Sequence, residues 1–361
     1  MINFVERMKQ PMNESMTDKK KVVFVVNPKS GSQGKKAILK WIEERIDRSV
    51  FDYTIVNTQY AGHATQLAAI AAKEGVDIVV AVGGDGTVNE IARSLRHTDT
   101  ALAIIPCGSG NGLARHLHIP MDAKGAIDVI NKNYRVCIDY GLINNIPFFC
   151  TCGVGFDAFV SLKFADSGKR GLLTYLENTL YESLTYQPET YEIENEEGTV
   201  KYEAFLIACG NASQWGNNAY IAPQASLTDG LMDVTIMEPF TVLDVPSLSF
   251  QLFNKTIDQN NRIRTMRAKK IKIHRAVEGV MHFDGDPLMA GKELEVEIVP
   301  KGLHVIASDK KVKQEHSTLL EQISNYFSGL KPKGEEMLMK RQAHLFELNR
   351  TLLRKLSKKN S

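Results

Sequence analysis

Four apolar runs set the pattern of the first third of the chain: residues 22–26 (VVFVV), 51–57 (FDYTIVN), 78–82 (IVVAV) and 101–105 (ALAII). Each reads as a strand, and the valine-rich run at 78–82 is what a strand covered on both faces requires. The stretches between them read as helices. Residues 35–48 place apolar side chains at 38, 39, 42 and 46, on one helical face. A second helix opens at Gly62-His63-Ala64 and is stopped by Gly75. Thr87 as N-cap, with Glu90 three residues later, predicts a capping box into a helix over 87–96. Further helices are predicted from about Asn111 and over 122–132. This alternation predicts a doubly wound parallel α/β sheet, in which ligands sit beyond the strand C-termini.

Beyond residue 133 the pattern shortens. Alternating runs at 134–140, 147–152, 191–193, 202–209, 231–237, 271–274, 280–284 and 294–299 predict an antiparallel β-sandwich. Residues 153–157 (GVGFD) read as a turn between strands. Two helical segments, about 171–184 and 241–255, carry apolar faces that either pack in the core or line a lipid groove. Residues 1–20 are polar and read as a flexible leader. Residues 316–330 read as an amphipathic helix, and a second follows Pro332 and Gly334, with Leu338, Leu345, Leu348, Leu352 and Leu356 at helical spacing. The organisation is therefore a leader (1–20), an α/β domain (21–139), a β-sandwich domain (140–299) and a helical tail (331–361).

Composition changes this picture little. Of 361 residues, 43% are hydrophobic and 24% charged, as in folded soluble proteins. A net charge of +2 gives no reason to expect a nucleic-acid partner. The five cysteines (107, 137, 150, 152, 209) lack zinc spacing and read as small buried hydrophobes of a reducing compartment. No apolar run reaches the roughly 20 residues that span a bilayer, and the N-terminus lacks a secretory core, so a cytoplasmic location is expected. The tail is different. Residues 331–361 carry nine Lys/Arg against three Glu, which suits an anionic membrane surface, or a partner subunit in a homodimer.

The chemistry concentrates at three turns. Gly83-Gly84-Asp85-Gly86-Thr87 and Gly108-Ser109-Gly110-Asn111 each follow a strand and open a helix, where backbone N–H groups and the helix dipole favour phosphate. Asn27-Pro28-Lys29-Ser30-Gly31 ends the first strand in a similar polar turn, and none of the three is a Walker loop. An acid inside a phosphate turn repels phosphate unless Mg²⁺ intervenes or the acid acts on a polar hydrogen, which singles out Asp85. Asp139, Asp157, Asp229, Asp233, Asp284 and Asp286 are the other candidate acids. Asp284-Gly285-Asp286 is also ordinary β-turn chemistry, as is Asp229-Gly230. His63, Arg115 and His116 read as structural or solvated helix residues.

The ordered set of NPKSG (27–31), GGDGT (83–87) and GSGN (108–111) resembles the diacylglycerol kinase catalytic-domain superfamily, which includes bacterial diacylglycerol kinases, sphingosine kinases and ceramide kinases. The resemblance covers about residues 21–308. It implies an α/β nucleotide-binding domain, a β-sandwich domain, a cleft between them, and a return of the chain to the first domain near 300–330. It implies ATP as phosphoryl donor, held by Asn27, Pro28, Ser30, Gly31, Gly83, Gly84, Asp85, Gly86, Thr87, Gly108, Ser109, Gly110 and Asn111. By the same resemblance, Asp85 and Asp139 belong to a Mg²⁺ network, and Asp229 matches a segment that holds a structural Mg²⁺ in some bacterial members. The family has a DGE-like motif whose last acid acts as general base on the lipid hydroxyl. This chain has DGD at 284–286, so the role passes to Asp286, one methylene shorter, with Asp284 able to share it.

The function expected is a lipid kinase, peripherally attached to membrane and converting diacylglycerol to phosphatidic acid. A sphingoid-base kinase is the close alternative, because GSGN resembles that branch. An NAD kinase shares GGDGT, but a TGSTAY-like segment is missing here. A non-catalytic nucleotide-binding scaffold is the remaining reading.

Overall fold

The computed structural model describes residues 19–30, 34–158, 187–241 and 243–309. Gly31, residues 1–18 of the expected leader, the helix expected at 171–184 and the tail lie outside the described residues.

The first half alternates β1 (Lys20–Val26), α1 (Lys35–Arg45), β2 (Phe51–Asn57), α2 (His63–Lys73), β3 (Ile78–Gly83), α3 (Asp85–Leu95), β4 (Ala101–Pro106), α4 (Gly112–His116) and α5 (Ala123–Lys132). β1 pairs in parallel with β2 and β3, and β3 with β4. Every residue of β3 and β4 is buried, so the apolar runs are covered on both faces. α1 packs with α5 and α2 with α3.

The second half contains β5 (Arg135–Ile143), β6 (Ile146–Phe148), β7 (Thr151–Gly155), β8 (Glu189–Asn195), β9 (Gly198–Ala204), β10 (Leu206–Gly210), β11 (Met232–Met237), α6 (Val245–Phe253), β12 (Ile263–Ala268), β13 (Lys270–Arg275), β14 (Gly279–Phe283), β15 (Asp286–Ala290) and β16 (Glu293–Ile306). One sheet runs β12-β11-β10-β7-β14-β15. The other is continuous with the first half, in the order β2-β1-β3-β4-β16-β13-β8-β9, with β5 on β16 and β6 on β5. β16 makes the join. Its first part lies antiparallel to β13, and after a register shift between Val299 and Leu303 its end runs parallel to β4, Val305 opposite Leu102. Ile193, Ile273 and Val296 of the long sheet face Val154, Ile207, Val234 and Met281 of the short one in a shared apolar core. The fold is an α/β domain carried into a β-sandwich.

Three local expectations fail for physical reasons. The run 202–209 is not one strand: it breaks at Phe205 into β9 and β10, which belong to different sheets. Residues 153–155 are not a turn but the end of β7, where Gly153 admits close backbone, since a Cβ there would lie 2.5 Å from the Ile207 carbonyl oxygen. The helix expected at 87–96 starts two residues earlier, at Asp85, without a side-chain cap, so Thr87 and Glu90 form no capping box. β12 and β15 were not anticipated, because both are edge strands with half or more of their residues exposed and little alternation.

Candidate active site

The three turns meet at the C-terminal edge of β1, β3 and β4. A Cβ on Gly108 would lie 2.8 Å from the Gly84 Cα, so these two turns touch backbone to backbone. Asn27 Nδ2 donates to Thr87 Oγ1 at 3.1 Å, and the Asn27 N–H donates to the Val82 carbonyl at 3.1 Å. Ser30 stands beside Gly84, 3.6 Å from where a Cβ there would be. Pro28, Gly86 and Ser109 are exposed on the same edge. Asn111, at φ 53°, closes its own turn: its Oδ1 accepts the Gly108 N–H at 3.0 Å and its Nδ2 donates to the Gly108 carbonyl at 2.8 Å.

Asp85 lies across this junction. Its Oδ2 accepts the Asn111 N–H at 2.8 Å and its Oδ1 the Gly112 N–H at 2.7 Å. Desolvation raises its carboxyl above the usual range, opposed by those two N–H donors. The carboxylate thus occupies the N-terminus of α4, where the sequence pattern left room for a phosphate. Glu90 does the same at α2, accepting the Gly62 N–H at 2.9 Å and the Ala64 N–H at 3.1 Å. Among the described residues no side chain caps the first amides of α1 or α3.

The sandwich brings its acids to α3. Asp284 sits at φ 48° in the turn between β14 and β15 and is half-buried. Its Oδ2 accepts Asn89 Nδ2 at 2.6 Å and the Phe149 N–H at 2.8 Å, while its Oδ1 accepts the Cys150 and Thr151 N–H groups at 2.7 and 3.2 Å. Desolvation raises this carboxyl and the four donors pull it down. Asp286 is different. It is exposed at the start of β15, and its carboxylate has no hydrogen-bond partner among the described residues. Desolvation raises its carboxyl too; Arg93 and His282 lower it, and Glu90 raises it. Arg93 stacks over the Phe283 ring, 4.9 Å from its centroid.

The expected metal ligands do not converge. Asp139 is buried and clasps two turns, its Oδ2 accepting the Gly230 N–H and its Oδ1 the Lys301 N–H, both at 2.7 Å. Asp229 pairs with Arg267, which also reaches Asp233 at 3.4 Å. Among the described residues no three His, Cys, Asp or Glu side chains gather to hold a metal ion. Asp85 and Asp139 are each held by backbone amides, and Asp229 by Arg267. Arg115 and His116 are not a solvated face either. Arg115 donates to the Gly110 carbonyl at 3.0 Å, and His116 Nδ1 accepts the Ser213 N–H at 3.0 Å. His63 Nδ1 accepts the Gln59 N–H at 3.0 Å, a structural role.

The sequence reading missed Asn89, Arg93 and His282. Asn89 and Arg93 stand four apart on α3, which puts them on one helical face, but nothing in the sequence says that the 284–286 turn faces them.

Comparison with known proteins defines the class. Residues 21–143 match the diacylglycerol kinase catalytic domain, and residues 150–307 match the YegS C-terminal NAD kinase beta sandwich-like domain. The fold and its turn edge are thus those of a kinase of the lipid kinase type. The chain belongs to the diacylglycerol kinase catalytic-domain superfamily. It is 26% identical over 320 residues to a protein named diacylglycerol kinase from Staphylococcus haemolyticus, covering 87% of this chain and 96% of that one. It is 29% identical over 249 residues to "Probable lipid kinase YegS" of Escherichia coli O17:K52:H18, covering 67% and 82%. A crystal structure described as a diacylglycerol kinase from Bacillus anthracis str. Sterne shares the fold, with a TM-score of 0.64 at 22% identity over 81% of this chain and 98% of that one.

Proposed function

We propose that the protein is an ATP-dependent lipid kinase that transfers the γ-phosphoryl group to a lipid hydroxyl, that of diacylglycerol, giving phosphatidic acid. The Asn89–Asp284 hydrogen bond carries this reading. Helix α3 starts at the glycine turn and, four residues on, ties to the turn that presents Asp286. Donor turn and acceptor acid are set against one rigid element, which is how positioning lowers a phosphoryl-transfer barrier.

ATP phosphates lie against the turns at 27–31 and 83–87; α3 begins in the second with amides that no described side chain caps. The turn at 108–111 shapes the site, because Asp85 takes the Asn111 and Gly112 amides. Mg²⁺ arriving with the nucleotide would supply charge neutralisation on the phosphates; among the described residues no three His, Cys, Asp or Glu side chains gather to hold it. Asp286 accepts the proton of the lipid hydroxyl. Its raised carboxyl makes it a better base than an ordinary aspartate. Leu288 and Met289, exposed on the same strand, offer apolar surface beside it. Among the described residues no helix is long and apolar enough to cross a membrane. The lipid is met at the surface of an anionic bilayer, with the basic tail as the second anchor.

The test is transfer of γ-labelled phosphate from ATP and Mg²⁺ to diacylglycerol, sphingosine, ceramide and NAD in parallel detergent-micelle assays. Label in diacylglycerol is expected. Label in sphingosine or ceramide instead overturns the substrate and keeps the reaction. Label in NAD alone overturns the lipid reading.

A further inference from the structure

His282 lies on β14 at 1% exposure, and its Nε2 is 2.7 Å from Oδ2 of Asp157, itself 8% exposed. Gly153 of β7 stands directly opposite His282 in the register. A Cβ on Gly153 would lie 3.0 Å from Asp157 Oδ2 and 3.2 Å from His282 Nε2, so a glycine is what lets the two side chains meet. The other ring nitrogen, Nδ1, accepts the N–H of Gly285 at 3.4 Å. Gly285, at φ 87°, is the middle residue of the Asp284-Gly285-Asp286 turn.

We propose that Asp157 and His282 are positioning residues for phosphoryl transfer, holding from beneath the turn that presents Asp286. The proposal rests on the reading of Asp286 as the base. The turn is gripped on both flanks: Asp284 by Asn89 and the amides of 149–151, Gly285 by the ring. Asp286 is exposed, so its placement depends on these grips. An apolar pair would hold a strand as well and spare the desolvation of two ionisable groups. What an apolar pair lacks is charge. The groups facing His282 are Asp157, Asp284 and Asp286; those facing Asp286 are Arg93, Glu90 and His282. Burial lowers the basicity of the ring, but the three carboxylates outweigh it and the ring is held above its usual range. Nδ1 accepts the Gly285 N–H only while the ring is neutral; once protonated, the ring gives up that bond and acts on Asp286 as a neighbouring cation that favours its ionised form.

The test compares kcat–pH profiles for lipid phosphorylation in wild type, Asp157→Asn and His282→Gln. Both variants are expected to move the acid limb to higher pH, because losing the cation makes Asp286 easier to protonate. His282→Gln is also expected to lower plateau kcat by about 10–100-fold, the usual effect of losing an outer-shell partner, with KM for ATP little moved. A limb that stays put in the folded variants makes the pair merely structural and overturns the proposal. Should His282→Gln fail to fold, Asp157→Asn decides, since its amide oxygen still accepts from Nε2. An activity-independent readout separates this inference from the kinase reading. Coupling is reciprocal, so the ring titration of His282 followed by NMR must move to lower pH in Asp286→Asn. That shift supports the pair even if no lipid is phosphorylated; an unmoved midpoint overturns it.

Discussion

Among the residues of the site, the acids divide by what their oxygens touch. Asp85 and Asp284 accept backbone amides on both oxygens and hold turns in place, whereas the Asp286 side chain is exposed and has no hydrogen-bond partner among the described residues. Sequence alone ranked Asp85 first, because an acid in a glycine turn is conspicuous, and it reached Asp286 only through the family's DGE-like motif. Asn89 belongs to neither argument. Its bond to Asp284 crosses 195 positions of chain, and no local pattern encodes that. Replacing Asn89 with Ala removes a bond to an ionised acceptor. The expected loss of stability is about 1.5–3 kcal/mol, read by chemical denaturation, together with lower turnover as the 284–286 turn loses its anchor. Undiminished stability would show that Asp284 is held by the three amides alone.

Among the elements, strands β1, β3 and β4 were legible because burial on both faces demands apolar runs, and the glycine turns because their backbones must approach. Helix starts were less so. Thr87 and Glu90 have the spacing of a capping box, yet Glu90 caps a neighbouring helix and Thr87 accepts from Asn27. Local spacing does not reveal a tertiary partner. The short helix α4 shows the same limit: His116 looks solvated in sequence but packs against residue 213 of the sandwich. Burial, with His118 and Lys255 adding to it, depresses the His116 ring to about 4. The folded state then binds fewer protons than the unfolded chain between that value and the ordinary 6.5. Stability from this group is full above pH 6.5 and is lost as pH falls towards 4, by roughly 3 kcal/mol. Urea denaturation against pH should show this loss in wild type and a flatter profile in His116→Asn, whose Oδ1 still accepts the Ser213 N–H. Parallel profiles would contradict it.

At the scale of the whole molecule, the two halves share one sheet through β16, which pairs with β4, β5 and β13. Alternating runs predicted a sandwich, but not that one of its sheets continues the α/β sheet, because the pattern shows which faces are buried and not which strands are neighbours. A shared central strand implies cooperative unfolding. The protein has two tryptophans, Trp41 on α1 and Trp215 in the loop after β10. Single-tryptophan variants, Trp215→Phe and Trp41→Phe, should therefore report the same denaturation midpoint; separate midpoints would show independent halves. The central claim comes down to Asp286, on β15 of the other sheet. The most direct measurement is kcat for transfer of γ-phosphate to diacylglycerol in wild type, Asp286→Asn and Asp286→Glu. Asn is expected to lower kcat by about 10²–10⁴-fold, the usual contribution of a general base, with KM for ATP little moved, while Glu retains turnover. A wild-type kcat in Asp286→Asn would contradict the assignment.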